Sequence, residues 1–170
     1  HSKQVAVGLY SKLPKNIRLN IEAYYKTMDN LLEYAGSNTL FPPLDSWETS
    51  FHKGQGRAYG LETELGWDSS HLSFSAYYTL SWSERKFDGI WHDWFPHRYD
   101  NRHKLTLMGL WKVTDKIDIY ANWNYNSGGW MTVPTHIYNP GEVFDRIYTA
   151  PNNVNLPDYH RLDLGANFRK

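Results

Sequence analysis

A chain of 170 residues with 18 lysines and arginines against 18 aspartates and glutamates has a formal net charge of +0, which excludes the basic excess that phosphate-binding domains use to displace counterions from nucleic acid. It contains no cysteine, so disulfides, thiol catalysis and cysteine metal sites are excluded as well. No stretch approaches the roughly 20 apolar residues of a membrane helix; the mean hydropathy of -0.67 leaves membrane strands open, because alternate residues of such a strand face a polar lumen.

The opening residues His1-Ser2-Lys3-Gln4 do not form a signal peptide, which predicts an N-terminal part upstream of them. A first short strand is predicted around Val5 to Tyr10. Next, Ile17, Leu19, Ile21, Ala23 and Tyr25 alternate with Arg18, Asn20, Glu22, Tyr24 and Lys26, the two-residue period of a strand with unlike faces. The same period returns in Tyr59 to Trp67, where Leu61, Thr63 and Leu65 oppose Gly60, Glu62, Glu64 and Gly66. It is longest from Leu72 to Ser83, where Leu72, Phe74, Ala76, Tyr78, Leu80 and Trp82 alternate with serine, tyrosine and threonine. At about 3.3 Å per residue that strand spans roughly 35–40 Å, enough to cross a membrane obliquely. Strands over 104–113 and 117–125 and a closing strand over 161–169 bring the count to about seven.

Two kinds of connection alternate between these strands. Leu13-Pro14-Lys15-Asn16, Asp68-Ser69-Ser70-His71 and Thr114-Asp115-Lys116 are tight-turn sequences, whereas long polar-aromatic loops run from about Ala35 to Arg57, Arg85 to Asn101 and Gly128 to Asp158. Tyr25, Trp67, Trp82, Trp111, Trp123 and Tyr125 fall toward strand ends on the apolar face, as in interfacial aromatic girdles. Glu22, Glu62, Glu64, Lys104 and Lys112 fall on the other face. The predicted fold is all-β: an antiparallel up-and-down transmembrane β-barrel, here about seven strands of a larger one, since bacterial barrels close on an even count. The competing fold is a soluble β-sandwich serving as a carbohydrate-binding module.

Several segments, in order, resemble the barrel of TonB-dependent outer-membrane receptors. Gly56-Arg57-Ala58-Tyr59-Gly60-Leu61-Glu62-Thr63-Glu64-Leu65 is similar to that family's G-x-A-x-G-L-E-x-E strand, and Phe74 to Ser81 to the strand that follows it. Pro96-His97-Arg98-Tyr99-Asp100-Asn101-Arg102-His103 resembles its D-x-R-H strand entry, Asn126 to Thr135 its S-G and P-T segment, and Leu156-Pro157-Asp158-Tyr159-His160-Arg161-Leu162-Asp163-Leu164 its P-x-Y-x-R-L-D-L strand. The resemblance implies the C-terminal part of a 22-stranded barrel in the bacterial outer membrane, filled by a plug. It implies active uptake of a scarce nutrient such as a ferric chelate, cobalamin or a glycan, driven by TonB through a box ahead of the plug. Residues 1–170 then form a single barrel segment with neither plug nor box, and Phe168-Arg169-Lys170 in place of a terminal aromatic predicts further strands. The expected partners are outer-membrane lipid, the rest of the barrel and its plug, the TonB complex through the missing N-terminal part, and a small-molecule or glycan cargo. A passive porin is the third reading.

The candidate site lies in the loops. Exposed tryptophan and tyrosine are stacking surfaces for sugars and planar ligands, so Trp91, Trp94, Arg98 and Tyr99, with Trp130 from the next long loop, are the candidate cargo contacts; the alternative is a loop that packs on its neighbours and the barrel rim. His92, Asp93, His97 and His103 supply metal donors at irregular spacing, and no metal site is assigned to them. Glu62 and Glu64 share a face without a companion acid, which favours a solvated or plug-facing role over glycoside chemistry. Arg102 is expected to pair with Asp100 and fix its loop, and Arg161 shares a face with Asp163. No catalytic constellation and no cofactor motif is present, so no enzyme activity is assigned.

Overall fold

The computed structural model describes residues 1–34, 51–138, 145–147 and 149–169. Positions 35–50 of the first predicted long loop and 139–144 and 148 of the third lie outside them. The strands are β1 (Ser2–Leu13), β2 (Ile17–Tyr34), β3 (Phe51–Asp68), β4 (Leu72–Phe87), β5 (Trp91–Pro96), β6 (His103–Thr114), β7 (Ile117–Asn126), β8 (Trp130–Met131), β9 (His136–Tyr138), β10 (Asp145–Ile147), β11 (Val154–Asn155) and β12 (Tyr159–Phe168).

One antiparallel sheet in the order β1-β2-β3-β4-β6-β7-β12 dominates, with β5 added to the end of β4. The seven strands on this path are the seven predicted ones. Their register keeps the alternations in phase across the sheet. Leu19 pairs with Leu65, Leu65 with Ala76, Ala76 with Leu107, Leu107 with Trp123 and Trp123 with Leu162, so one apolar row crosses six strands. A one-residue slip anywhere would exchange the faces. The facing polar row runs Asn20, Glu64, Tyr77, Thr106, Asn124 and Arg161.

The apolar face is bare. Val7 is 72% exposed and Leu164 70%, and among the described residues the only buried hydrophobic side chains are Phe87 and Phe95. This is incompatible with the sandwich, which must bury that face against a second sheet; here the described residues form one extended sheet and two small two-stranded ones. Aromatic rings bound the apolar band. Tyr59 stacks between Tyr25 and Trp82, at 6.1 and 5.3 Å between centroids, while Trp67 pairs in register with Phe74 at the other end. From Tyr59 to Trp67 the strand advances about 27 Å, which a tilt of about 40° reduces to roughly 20 Å along the membrane normal, near the apolar band of an outer-membrane barrel.

Tight turns close one end. Pro14 is followed by Lys15 and Asn16 at φ 64° and 59°, a reversal in which Asn16 also donates its side-chain amide to the Asp68 carbonyl at 3.2 Å. Arg18 pairs with Asp68 at 3.0 Å, so neighbouring turns are tied together. Arg161 and Asp163, on one face of β12, form an ion pair at 2.7 Å.

At the other end the strands outrun the prediction. β2 continues past Lys26 through a bulge between Met28 and Leu31, where Asn30 takes φ 57°. β3 already begins at Phe51, β4 runs to Phe87, and the predicted loop 85–101 contains β5. Glycine permits part of this extension: a Cβ on Gly54 would lie 2.3 Å from the Lys86 carbonyl oxygen and 2.2 Å from the Phe87 ring. The sheet's two edges, β1 and β12, are not paired with each other.

Candidate functional site

The long-loop end is built on the excess length of β4. Its last partner in β6 is His103, opposite Leu80; beyond that point β4 pairs with β5, which sets Phe95 opposite Arg85 and Trp91 opposite Phe87. Strand parity then sorts the side chains. Phe87 and Phe95 meet on the polar, lumenal side with centroids 6.3 Å apart. Trp94 turns to the outer side, where the Arg57 guanidinium lies 4.3 Å from its ring centroid and bonds Glu84 at 2.6 Å.

The return segment is pinned by Asp100, which is 2% exposed. One carboxylate oxygen accepts the Ser83 amide at 2.8 Å, and the other accepts Arg102 at 3.0 Å, the pairing expected from sequence. Arg102 in turn sits 4.7 Å from the Trp82 ring centroid.

Asparagines then fasten the next loop onto this one. Asn101 donates to the Ser127 carbonyl at 2.6 Å, Asn152 to the Pro96 carbonyl at 2.6 Å, and Asn155 to the Gly128 carbonyl at 3.0 Å. Asn153 donates to the Val133 carbonyl at 2.8 Å and accepts the Val133 amide at 2.9 Å. The Trp130 amide donates to the Arg98 carbonyl at 3.0 Å. At Gly128, a Cβ would sit 1.6 Å from the Leu156 carbonyl oxygen, so only glycine fits. Asp158 accepts the Tyr125 hydroxyl at 2.6 Å and the Gly128 amide at 3.2 Å, and the former bond holds its carboxyl below the usual range.

Between the two loops and the ends of β2 and β4 lies a cleft of about 460 Å³, lined among others by Glu33, Arg85, Trp91, His97, Arg98 and Asn152. The bulge in β2 puts Glu33 opposite His52 in register and within 3.9 Å of Arg98. Burial pulls the Arg85 pKa down, against the opposing pull of Glu33. Burial also pushes His97 below its ordinary value, helped by the charges of Arg85 and Arg98 and opposed by Asp100. The cleft therefore gathers two arginines, one glutamate and an imidazole whose charged form is disfavoured.

Of the five candidate contacts, Trp91 and Arg98 line this cleft. Trp94 lies on the other face beside a smaller recess with Tyr25 and Arg57. Tyr99 is 72% exposed, with its ring edge-on to His97 at 5.4 Å between centroids. Trp130 holds the loops together through its backbone, and among the described residues its buried indole nitrogen has no hydrogen-bond partner. Sequence reasoning missed Glu33, Arg85 and Asn152. Arg85 was within reach of it, because it continues the odd-numbered polar face of β4 through Ser81 and Ser83. Among the described residues no three His, Asp or Glu side chains gather in a metal-binding group, and His103 is engaged with the Tyr78 hydroxyl at 2.9 Å.

The environment of His97 makes the loop assembly pH-dependent. The folded state disfavours the imidazolium, whereas an opened loop protonates near the ordinary value of about 6.5. The open state thus binds more protons below that pH, and stability of the closed assembly falls as pH drops through it. Amide hydrogen exchange at Ser83 and His97, corrected for intrinsic rates, should accelerate below about pH 6.5, and His97→Gln should flatten the dependence.

No curated protein matches the chain. Its sequence does match the family described as TonB dependent receptor-like, beta-barrel, over residues 1–170. That match covers every strand of the sheet and agrees with its in-phase faces, its short turns at one end and its long loops at the other. The chain therefore belongs to the TonB-dependent receptor barrel family, whose members are transporters of the bacterial outer membrane.

Proposed function

We propose that the chain supplies barrel wall and extracellular loops to an outer-membrane receptor that takes up a scarce nutrient, such as a ferric chelate, cobalamin or a glycan, at the expense of TonB. The observation that carries this reading is the in-phase register: seven strands present one continuous apolar face and one polar face, bounded by aromatic rows. The open edges of β1 and β12 support the rest of the barrel as a partner, because unpaired edge groups in lipid cost several kcal/mol each.

The lumenal wall favours a filled barrel over a passive porin. Glu22 pairs in register with Glu62, and Asn20 with Glu64, around a recess of about 180 Å³. Like charges directly opposite one another are destabilising, and among the described residues none of these three glutamates forms an ion pair. A plug bearing cations at this wall would compensate them. Trp91 and Arg98, with the cleft between the loops, are the proposed cargo contacts on the extracellular side.

Uptake of labelled ferric chelates, cobalamin and oligosaccharides by cells carrying the parent receptor tests the reading. Accumulation of one of them should be lost when TonB is deleted. Accumulation indifferent to TonB, or open-pore conductance of the purified receptor in a planar bilayer, would place the protein among passive porins.

A further inference from the structure

We propose that the cleft between the two loops is an anion-recognition subsite, in which Arg85 and Arg98 hold an anionic oxygen group of the cargo, such as a carboxylate, while a planar part of the same molecule lies along Trp91. The proposal rests on the reading of this cleft as a cargo contact, and adds the sign of the charge it selects.

The central observation is the condition of Arg85. Its guanidinium occupies space that glycine leaves: a Cβ on Gly56 would lie 2.7 Å from Arg85 Nη1 and 2.7 Å from Leu31 Cδ1. The side chain is half-buried and donates to the Glu84 carbonyl at 3.2 Å. Among the described residues no carboxylate comes within ion-pair distance of it, although a guanidinium carries five N–H donors in a fork that matches a carboxylate.

Among the described residues, two of the acids near Arg85 have closer partners and the third, Glu33, acts on it only from beyond ion-pair distance. Glu84 points to the outer side and holds Arg57 at 2.6 Å. Asp100 is spent on Ser83 and Arg102, and Glu33 approaches Arg98 only to 3.9 Å. A partly desolvated cation with no carboxylate at ion-pair distance among the described residues is unfavourable, and it gains most from an anion that arrives with its own planar acceptor pair. The downward pull of burial on Arg85 is the same deficit seen from the proton's side. Trp91 lines the same cleft as the two cations, and the volume of about 460 Å³ admits a small aromatic anion.

The test uses the detergent-solubilised parent receptor and two probes of nearly equal shape, benzoate and benzamide, followed by saturation-transfer NMR. Benzoate should bind and benzamide bind at least fivefold more weakly. Arg85→Gln should weaken benzoate roughly tenfold, the loss of a charge-assisted hydrogen-bond pair, and leave benzamide unchanged; Arg85→Lys should recover part of the difference. Circular dichroism of each variant reports whether the barrel is intact. Equal binding of the two probes, or benzoate binding indifferent to Arg85→Gln in a folded variant, overturns the anion subsite. If both probes then bind equally and both are lost in Trp91→Ala, the cleft remains a cargo contact without charge selection. If neither probe binds, the cargo reading of the cleft falls together with the proposal.

Discussion

Leu107→Arg should destabilise the folded parent receptor by about 2–4 kcal/mol in lipid vesicles, the cost of a guanidinium near the bilayer midplane on a barrel's outer face. Leu107 sits on the apolar face opposite Ala76 and Trp123, midway along β6 between His103 and Trp111, so the new side chain can reach water only by distorting its neighbours. Met108→Arg is the control. Met108 is the next residue along β6, lies on the lumenal face opposite Ser75 and Asn122, and is 46% exposed; the same charge there should change stability by less than about 1 kcal/mol. Denaturant titration of both variants in vesicles measures the difference. Equal costs would mean that the two faces meet the same solvent.

Asp100→Ala should free the loop assembly with a loss of about 2–4 kcal/mol of local stability. The substitution strips the Ser83 amide of its acceptor in a buried site and leaves Arg102 without its anion. Arg102 is partly exposed, with 35% of its side chain accessible, which holds the penalty below that of a fully buried pair. Asp100→Asn keeps an oxygen for Ser83 and should lose about half as much. Hydrogen exchange at Ser81, Ser83 and His97 reads the effect directly, because Ser81 also bonds the Arg102 carbonyl and His97 the Ser83 carbonyl. Exchange unchanged in Asp100→Ala would show that the asparagine bonds alone hold the loops.

The strands from Ile17 to Lys26 and from Leu72 to Ser83 were legible because their two faces meet different solvents, and a strict period of two records that difference. Legibility stopped where that period breaks. Beyond Lys26 the bulge at Met28 and Leu31 shifts parity, so Leu31 and Glu33 follow the even-numbered lumenal residues. Before Tyr59, Gly54 and Gly56 carry no side chain to mark a face. β5 escaped because Trp91 and Trp94 put large rings on both of its sides, one toward the cleft and one against Arg57.

The lining of the cleft was only partly visible in the sequence. Composition singled out Trp91, Trp94, Arg98, Tyr99 and Trp130, of which only Trp91 and Arg98 line the cleft. Glu33 reaches the cleft from the end of β2, Arg85 from the extension of β4, and Asn152 from a loop more than 50 positions beyond Pro96. Those meetings are set by cross-strand register and by asparagine bonds between loops, neither of which leaves a local mark in the sequence. The Asp100 and Arg102 pair was foreseeable because both residues lie in one short segment.

The most direct measurement of the central assignment is a single-cysteine spin-label scan from Leu72 to Ser83 in the reconstituted parent receptor, made simpler because this chain has no cysteine of its own. Labels at Leu72, Phe74, Ala76, Tyr78 and Leu80 should be accessible to oxygen dissolved in lipid, and labels at Ser73, Ser75, Tyr77, Thr79 and Ser81 to a water-soluble nickel chelate. The two accessibilities should oscillate out of phase with a period of two residues. Chelate access along both faces, or oscillation in the opposite phase, would contradict a strand with its apolar side in the membrane.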